Sequence, residues 1–137
     1  MNDNSRRQFL ANSGKLALAS GAGVLAVPEP AAGIRNKFIH HVYFWLKEPD
    51  NAEHKARLVA GLKKLSAVKT IREFHIGQPA NTNREVIDRS YAVSWLLVFS
   101  NAADQESYQT DPDHLRFIEE CSALWSKVVV YDSVDVV

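Results

Sequence analysis

Apolar residues gather in short dense runs separated by polar punctuation. Residues 38–46 (FIHHVYFWL) are aromatic or aliphatic everywhere except at the two histidines, and the run closes at Lys47-Glu48-Pro49-Asp50. Aromatic and β-branched density bounded by a proline loop predicts a strand. Over residues 51–65, Ala52, Ala56, Val59, Leu62 and Leu65 recur in steps of three and four. That is a helical period, and Asp50 or Asn51 can cap its start. Residues 71–77 (IREFHIG) alternate and stop at Gly77-Gln78-Pro79, which predicts a second strand. Residues 80–90 are polar and loop-like, and residues 91–100 (YAVSWLLVFS) form a strongly apolar third strand. Asn101 or Asp104 can cap a short helix through Tyr108. Asp111-Pro112 opens the next, with proline in the first turn. It reaches about Trp125, with Leu115, Ile118 and Leu124 as its apolar side. Residues 127–136 read as the last strand.

The order β-α-β-β-α-β is the ferredoxin-like pattern, an α+β fold with a four-stranded antiparallel sheet and helices on one face. Alternation puts Phe38, His40, Val42 and Phe44 on one side of the first strand and Ile39, His41, Tyr43 and Trp45 on the other. The third strand offers Tyr91, Val93, Trp95, Leu97 and Phe99 against Ala92, Ser94, Leu96 and Val98. Both faces are apolar. Helices cover one, and a small monomer would leave the other as an apolar patch in water. Two sheets packed face to face in a homodimer solve this and close a barrel-like core.

Composition narrows the function. The chain of 137 residues carries 16 Lys+Arg against 16 Asp+Glu, so it lacks the basic excess that phosphate contacts with nucleic acid require. The single cysteine, Cys121, excludes multi-cysteine zinc and iron–sulfur motifs and any intramolecular disulfide. No run of 18 apolar residues is present.

The first 33 residues read as an export signal and spacer, with the globular domain at 34–137. Ser5-Arg6-Arg7-Gln8-Phe9-Leu10 precedes a small-residue apolar run from about Leu16 to Val27, then Pro28 and Pro30. The hexapeptide resembles the twin-arginine (Tat) signature. That implies passage of the folded protein through the Tat translocation machinery to a periplasmic or otherwise exported location.

Candidate chemistry lies in two places. His41 shares a strand face with Tyr43 and Trp45, where an imidazole needs a hydrogen-bond partner. Tyr108-Gln109-Thr110-Asp111-Pro112-Asp113-His114 joins a helix end to a helix start through a proline turn, which can bring phenol and imidazole to one cleft. Histidine shuttles protons near neutral pH and a tyrosine hydroxyl can donate to an oxyanion. A metal held by His41, His114 and a carboxylate is a weaker alternative, since no H-x-x-x-H or H-E-x-x-H spacing exists.

These segments resemble the stress-responsive α/β-barrel (Dabb) family. Residues 39–46 (IHHVYFWL) resemble its opening strand, residues 108–117 (YQTDPDHLRF) its Y-x-x-H-P-x-H-x-x-F segment, and residues 129–133 (VVYDS) its closing strand. The resemblance spans roughly residues 37 to 136. It implies a ferredoxin-like domain that dimerises into an α/β-barrel, without a cofactor. It also implies catalytic roles for His114 and Tyr108, and a pocket lined by His41, Tyr43, Trp45, Val93, Trp95 and Phe117. Two departures stand out: Asp111 replaces the family's first histidine of that segment, and Val93 stands where a plant polyketide cyclase of the family carries a further histidine. The expected function is binding of a small hydrophobic or aromatic ligand. A cofactor-independent cyclase, lyase or isomerase using His114 and Tyr108 is the alternative, and a His-based metal site the third.

Overall fold

The computed structural model describes residues 26–137, so the twin-arginine motif and most of the apolar run lie outside the described residues. Residues Ile34–Val137 form one compact unit. Its elements are β1 (Phe38–Leu46), α1 (Ala52–Leu65), β2 (Ile71–Gly77), β3 (Val93–Phe99), α2 (Ala102–Thr110), α3 (Pro112–Cys121), a 3-10 turn (Ser122–Leu124) and β4 (Trp125–Ser133). The strands form one antiparallel sheet in the order β2-β3-β1-β4. This is the expected ferredoxin-like α+β fold. Among the described residues no helix is long and apolar enough to cross a membrane.

Helix starts follow side-chain chemistry. Asn51 caps α1 by accepting from His54 N–H, Asn101 caps α2 by accepting from Asp104 N–H, and Asp111 caps α3 by accepting from Asp113 N–H. Pro112 sits at the first position of α3, where a missing N–H costs nothing. The aspartate at 111 therefore has a structural job at the turn between Tyr108 and His114.

The helices cover the sheet face that carries His40, Val42, Phe44 and Leu46 of β1 and Val93, Trp95, Leu97 and Phe99 of β3, all buried. Against them pack Leu58, Leu62 and Leu65 of α1, Tyr108 of α2, and Phe117 and Cys121 of α3. Each fully buried leucine contributes about 1.5–3 kcal/mol, so α1 is held by this stripe and not by its otherwise polar composition. Burial also pushes the Cys121 thiol pKa up, leaving it an inert core group.

Two sequence expectations shift. In α3 the buried residues are Phe117 and Cys121, whereas Leu115 and Ile118 are exposed. The helix is rotated by about one position, because His114, Phe117 and Cys121, also spaced three and four apart, face the sheet. The helix also ends at Cys121, and β4 spans Trp125–Ser133 instead of residues 127–136. A bulge explains part of this. Trp45 pairs with Lys127 but Leu46 pairs with Trp125, leaving Ser126 as the extra residue. The bulge flips Trp125 onto the helix-covered face, where its ring lies 5.0 Å from Phe44 and 5.8 Å from Phe117.

Candidate functional site

Four elements converge beside β1. The register places Asp132 of β4 directly opposite His40 and Val130 opposite Val42. The His40 Nδ1 to Asp132 Oδ1 distance is 2.5 Å. An ionised carboxylate only accepts, so Nδ1–H donates and the Nε2 of His40 is left for other use. His40 itself is buried. Its ring stands 5.9 Å from that of Tyr108, edge-on.

Tyr108, in the last turn of α2, is almost wholly buried at 1% exposure. Its hydroxyl oxygen accepts from the Trp95 indole N–H at 3.1 Å. Because the oxygen is satisfied by an acceptor role, the O–H proton remains available to a third group. Burial pushes the phenol pKa well up, partly offset by the Trp95 hydrogen bond, so the hydroxyl stays a donor throughout the physiological range.

His114 lies in the first turn of α3, its ring 4.6 Å from that of Tyr108. Nδ1 stands 3.0 Å from the Gln109 carbonyl oxygen. A carbonyl only accepts, so Nδ1 carries the proton and Nε2 bears the lone pair of the neutral ring. Burial lowers the His114 pKa. The Gln109 carbonyl opposes this, and the nearby His40 lowers it further. The ring is therefore neutral at pH 7, in the state a proton acceptor needs.

Between these groups lies a cavity of about 160 Å³, whose apolar wall includes Phe44, Trp95, Phe117, Trp125 and Val130 and whose polar lining is His40, Tyr108, Gln109 and His114. An apolar pocket with a few convergent polar groups and displaced pKa values is the usual form of a small-molecule site.

The structure brings four of the sequence-identified residues together here: Tyr108, His114, Trp95 and Phe117. Val93 shares their sheet face and is fully buried, but does not line the cavity. It does not bring His41, Tyr43 and Trp45 to this cavity. Strand alternation turns them to the opposite face, where His41 and Tyr43 are hydrogen-bonded at 3.1 Å and Tyr43 and Trp45 border a separate recess with Asp88, Tyr91 and Tyr131. The histidine that β1 contributes is His40. His41 and His114 lie on opposite faces of the sheet, so they cannot share one metal ion, and among the described residues no three His, Cys, Asp or Glu side chains converge. Asp132 was not singled out from sequence. Its signal was present in the Tyr131-Asp132 ending, but only the β1–β4 register connects it to His40.

The fold and the site together define a ferredoxin-like domain with two imidazoles and a buried phenol around one apolar cavity. The chain belongs to the stress-responsive A/B barrel domain (Dabb) family, whose model matches residues 38–135. Among solved structures it resembles a Dabb family protein with a ferredoxin-like fold from Mesorhizobium loti, at 24% identity over 73% of this chain and 97% of that one, with a TM-score of 0.62. It also resembles the hydroxynitrile lyase from Passiflora edulis, at 19% identity, 74% and 95% coverage and a TM-score of 0.61. A dimeric ferredoxin-like protein of unknown function from Thermobifida fusca matches at 14% identity, 79% and 99% coverage and a TM-score of 0.61. These likenesses establish the fold. By sequence, no curated protein matches the chain.

Proposed function

We propose that this protein is a cofactor-independent acid–base enzyme acting on a small, mainly apolar, single-ring carbonyl or hydroxynitrile compound. The observation that carries the reading is the pairing of hydrogen-bond roles. The Asp132 carboxylate and the Gln109 carbonyl each hold an Nδ1–H, so two Nε2 atoms remain free on rings whose centroids lie 5.9 and 4.6 Å from that of Tyr108. A pocket that only bound an apolar molecule would have no need of two fixed tautomers beside a hydroxyl whose proton is unused. The cavity of about 160 Å³ matches the ~150 Å³ apolar cavity that holds one benzene ring.

In this mechanism the His114 Nε2 takes the hydroxyl proton of a hydroxynitrile as the bond to the nitrile carbon breaks. The oxygen becomes the aldehyde carbonyl, and the cyanide leaves with that proton as hydrogen cyanide. From a carbonyl compound the same Nε2 takes a proton from the carbon beside the carbonyl and returns it to the product. The Tyr108 hydroxyl donates to the oxygen on which negative charge develops. The His40 ring, oriented by Asp132, offers its Nε2 lone pair to a hydroxyl or amine proton of the substrate and so positions it. The similarity to a hydroxynitrile lyase supports testing aromatic hydroxynitriles first. Aldehyde release is followed by ultraviolet absorbance for the wild type and for His114→Ala. A substrate turned over equally well by both proteins overturns the assignment.

Two further features complete the proposal. The outward sheet face, with Ile39, Tyr43, Trp45 and Leu96, packs against a second copy. Its apolar character supports a homodimer, as do solved neighbours described as dimeric. The segment Ser5-Arg6-Arg7-Gln8-Phe9-Leu10 supports Tat export before the domain acts. The double variant Arg6→Lys/Arg7→Lys is expected to hold the precursor in the cytoplasm, and equal export of that variant overturns the export reading.

A further inference from the structure

The outer sheet face is not uniformly apolar. His41 of β1 pairs with Leu96 of β3, and Leu96 pairs on its other side with His75 of β2. The two imidazoles thus stand in one row across three strands, on the face away from the helices. His41 is already half-buried in one protomer. Its Nδ1 is engaged by the Tyr43 hydroxyl at 3.1 Å, and its ring stacks on Tyr43 with centroids 4.4 Å apart.

We infer that the second copy of the chain docks on this histidine row, so that the homodimer holds at neutral pH and dissociates as His41 takes up a proton. The inference rests on the proposed sheet-to-sheet dimer and concerns its regulation. A two-fold interface puts the same patch on both sides, so His41 and His75 of each protomer enter one sealed layer. An imidazole can be buried neutral beside a phenol; an imidazolium cannot be buried there without a carboxylate.

The surroundings supply little compensation for that charge. On β1 the neighbour is Tyr43. Directly opposite His41 on β4 is Tyr131, with the Lys127 cation further along over the Trp45 ring at 4.6 Å. β3 presents Leu96 and Ser94, neither of which titrates. β2 presents His75 itself and Glu73, which lies opposite Val98. The loop before β3 brings Tyr91 and Asp88, and Asp88 already accepts from the Ser90 N–H and hydroxyl. Lys127 and a second imidazole add repulsion, whereas Glu73 is exposed at the sheet edge. Even in one protomer, burial lowers the His41 pKa, with His75 and His40 contributing repulsion. Closing the interface removes more water and adds to the same effect. The dimer therefore binds fewer protons than two free protomers, and linkage makes acid favour dissociation.

Sedimentation of the full chain at pH 7.5, 6.5 and 5.5 and constant ionic strength tests this. One proton taken up by each His41 raises the dimer Kd about 10- to 100-fold between pH 7.5 and 5.5. The double variant His41→Gln/His75→Gln is expected to dimerise at pH 7.5 and to lose the pH response. Leu96→Arg is expected to be monomeric at every pH, and far-UV circular dichroism should stay unchanged throughout. A wild-type dimer whose Kd is flat across the range overturns the switch while leaving the dimer intact. A wild-type monomer at pH 7.5, or a Leu96→Arg dimer, overturns the interface itself. Dissociation accompanied by loss of the dichroism signal overturns the switch in favour of acid unfolding.

Discussion

The Trp95 indole N–H donates to the Tyr108 hydroxyl oxygen over 3.1 Å, deep in the core. This bond fixes the phenol while leaving its proton free, so each residue has a separable effect. Tyr108→Phe removes the proton donor and leaves the Trp95 N–H unpaired. It is expected to lower kcat about 100- to 1,000-fold on any substrate that passes through an oxyanion. It should also cost about 1–3 kcal/mol of stability, from the orphaned buried donor. Denaturant titration and single-substrate kinetics read the two effects independently. A variant with wild-type kcat removes the phenol from the mechanism.

Asp132 is expected to act on His40 through its tautomer. Asp132→Asn preserves shape, but the amide can donate to Nδ1, which forces the proton onto Nε2 and removes that lone pair from the cavity. In a serine protease triad the corresponding change lowers kcat by about 10⁴ while the geometry survives. A loss here of about 100-fold or more in kcat is expected. Affinity for an aromatic probe, followed by quenching of the cavity tryptophans Trp95 and Trp125, should change little. Equal losses in kcat and affinity would instead mark Asp132 as a packing residue.

Acid should weaken both activity and folding through His114. Its folded pKa is lowered from the ordinary 6.5, chiefly by burial. Between that lowered value and 6.5 the unfolded chain binds more protons, so this stabilising contribution is present above pH 6.5 and is lost as pH falls through the folded value. The rate should follow the neutral imidazole, with an acid limb below 6.5. The phenol pKa is raised above 10.0, so no alkaline limb from Tyr108 should appear before pH 10. Initial rates from pH 5 to 10 check both limbs. An acid limb that persists unchanged in His114→Gln assigns it to another group.

Much of the fold was legible because period and punctuation agree. Asn51, Asn101 and Asp111 cap the helices as their spacing before apolar steps suggests. The Tyr108–His114 meeting was legible too, since a proline turn between two helices leaves few other arrangements. What was not legible depended on long-range register. Alternation already grouped His40 with Val42 and Phe44, but choosing that face over the His41 face required knowing which side the helices cover. Asp132 lies 92 positions from His40 and joins it only through strand pairing. The Ser126 bulge reverses the facing of Trp125, an inversion that no strict period of two can report. In α3, both Leu115/Ile118 and Phe117/Cys121 satisfy a helical period, and the larger aromatic ring takes the core.

The packing of α1 on α3 offers a last test, at Gly61. A Cβ built there would stand 2.7 Å from Cys121 Sγ and 3.2 Å from Phe117 Cδ2. The sulfur belongs to a buried side chain in a packed helix, so it has little room to withdraw. Two opposing terms then decide the sign. Alanine is a better helix former than glycine by about 1 kcal/mol. Overpacking a filled core costs about 1–3 kcal/mol. The second term is expected to win, so Gly61→Ala lowers stability by up to about 2 kcal/mol, a fall in Tm of at most on the order of 10 °C for a domain of this size. Because Phe117 lines the cavity from the neighbouring turn of α3, the same change should also weaken probe binding. Trimming the opposing sulfur should reverse the sign. Gly61→Ala in a Cys121→Ala background is expected to be neutral or stabilising, and the coupling between the two sites is read from a double-mutant cycle. Additive effects of the two substitutions would show that α1 and α3 do not meet at this point.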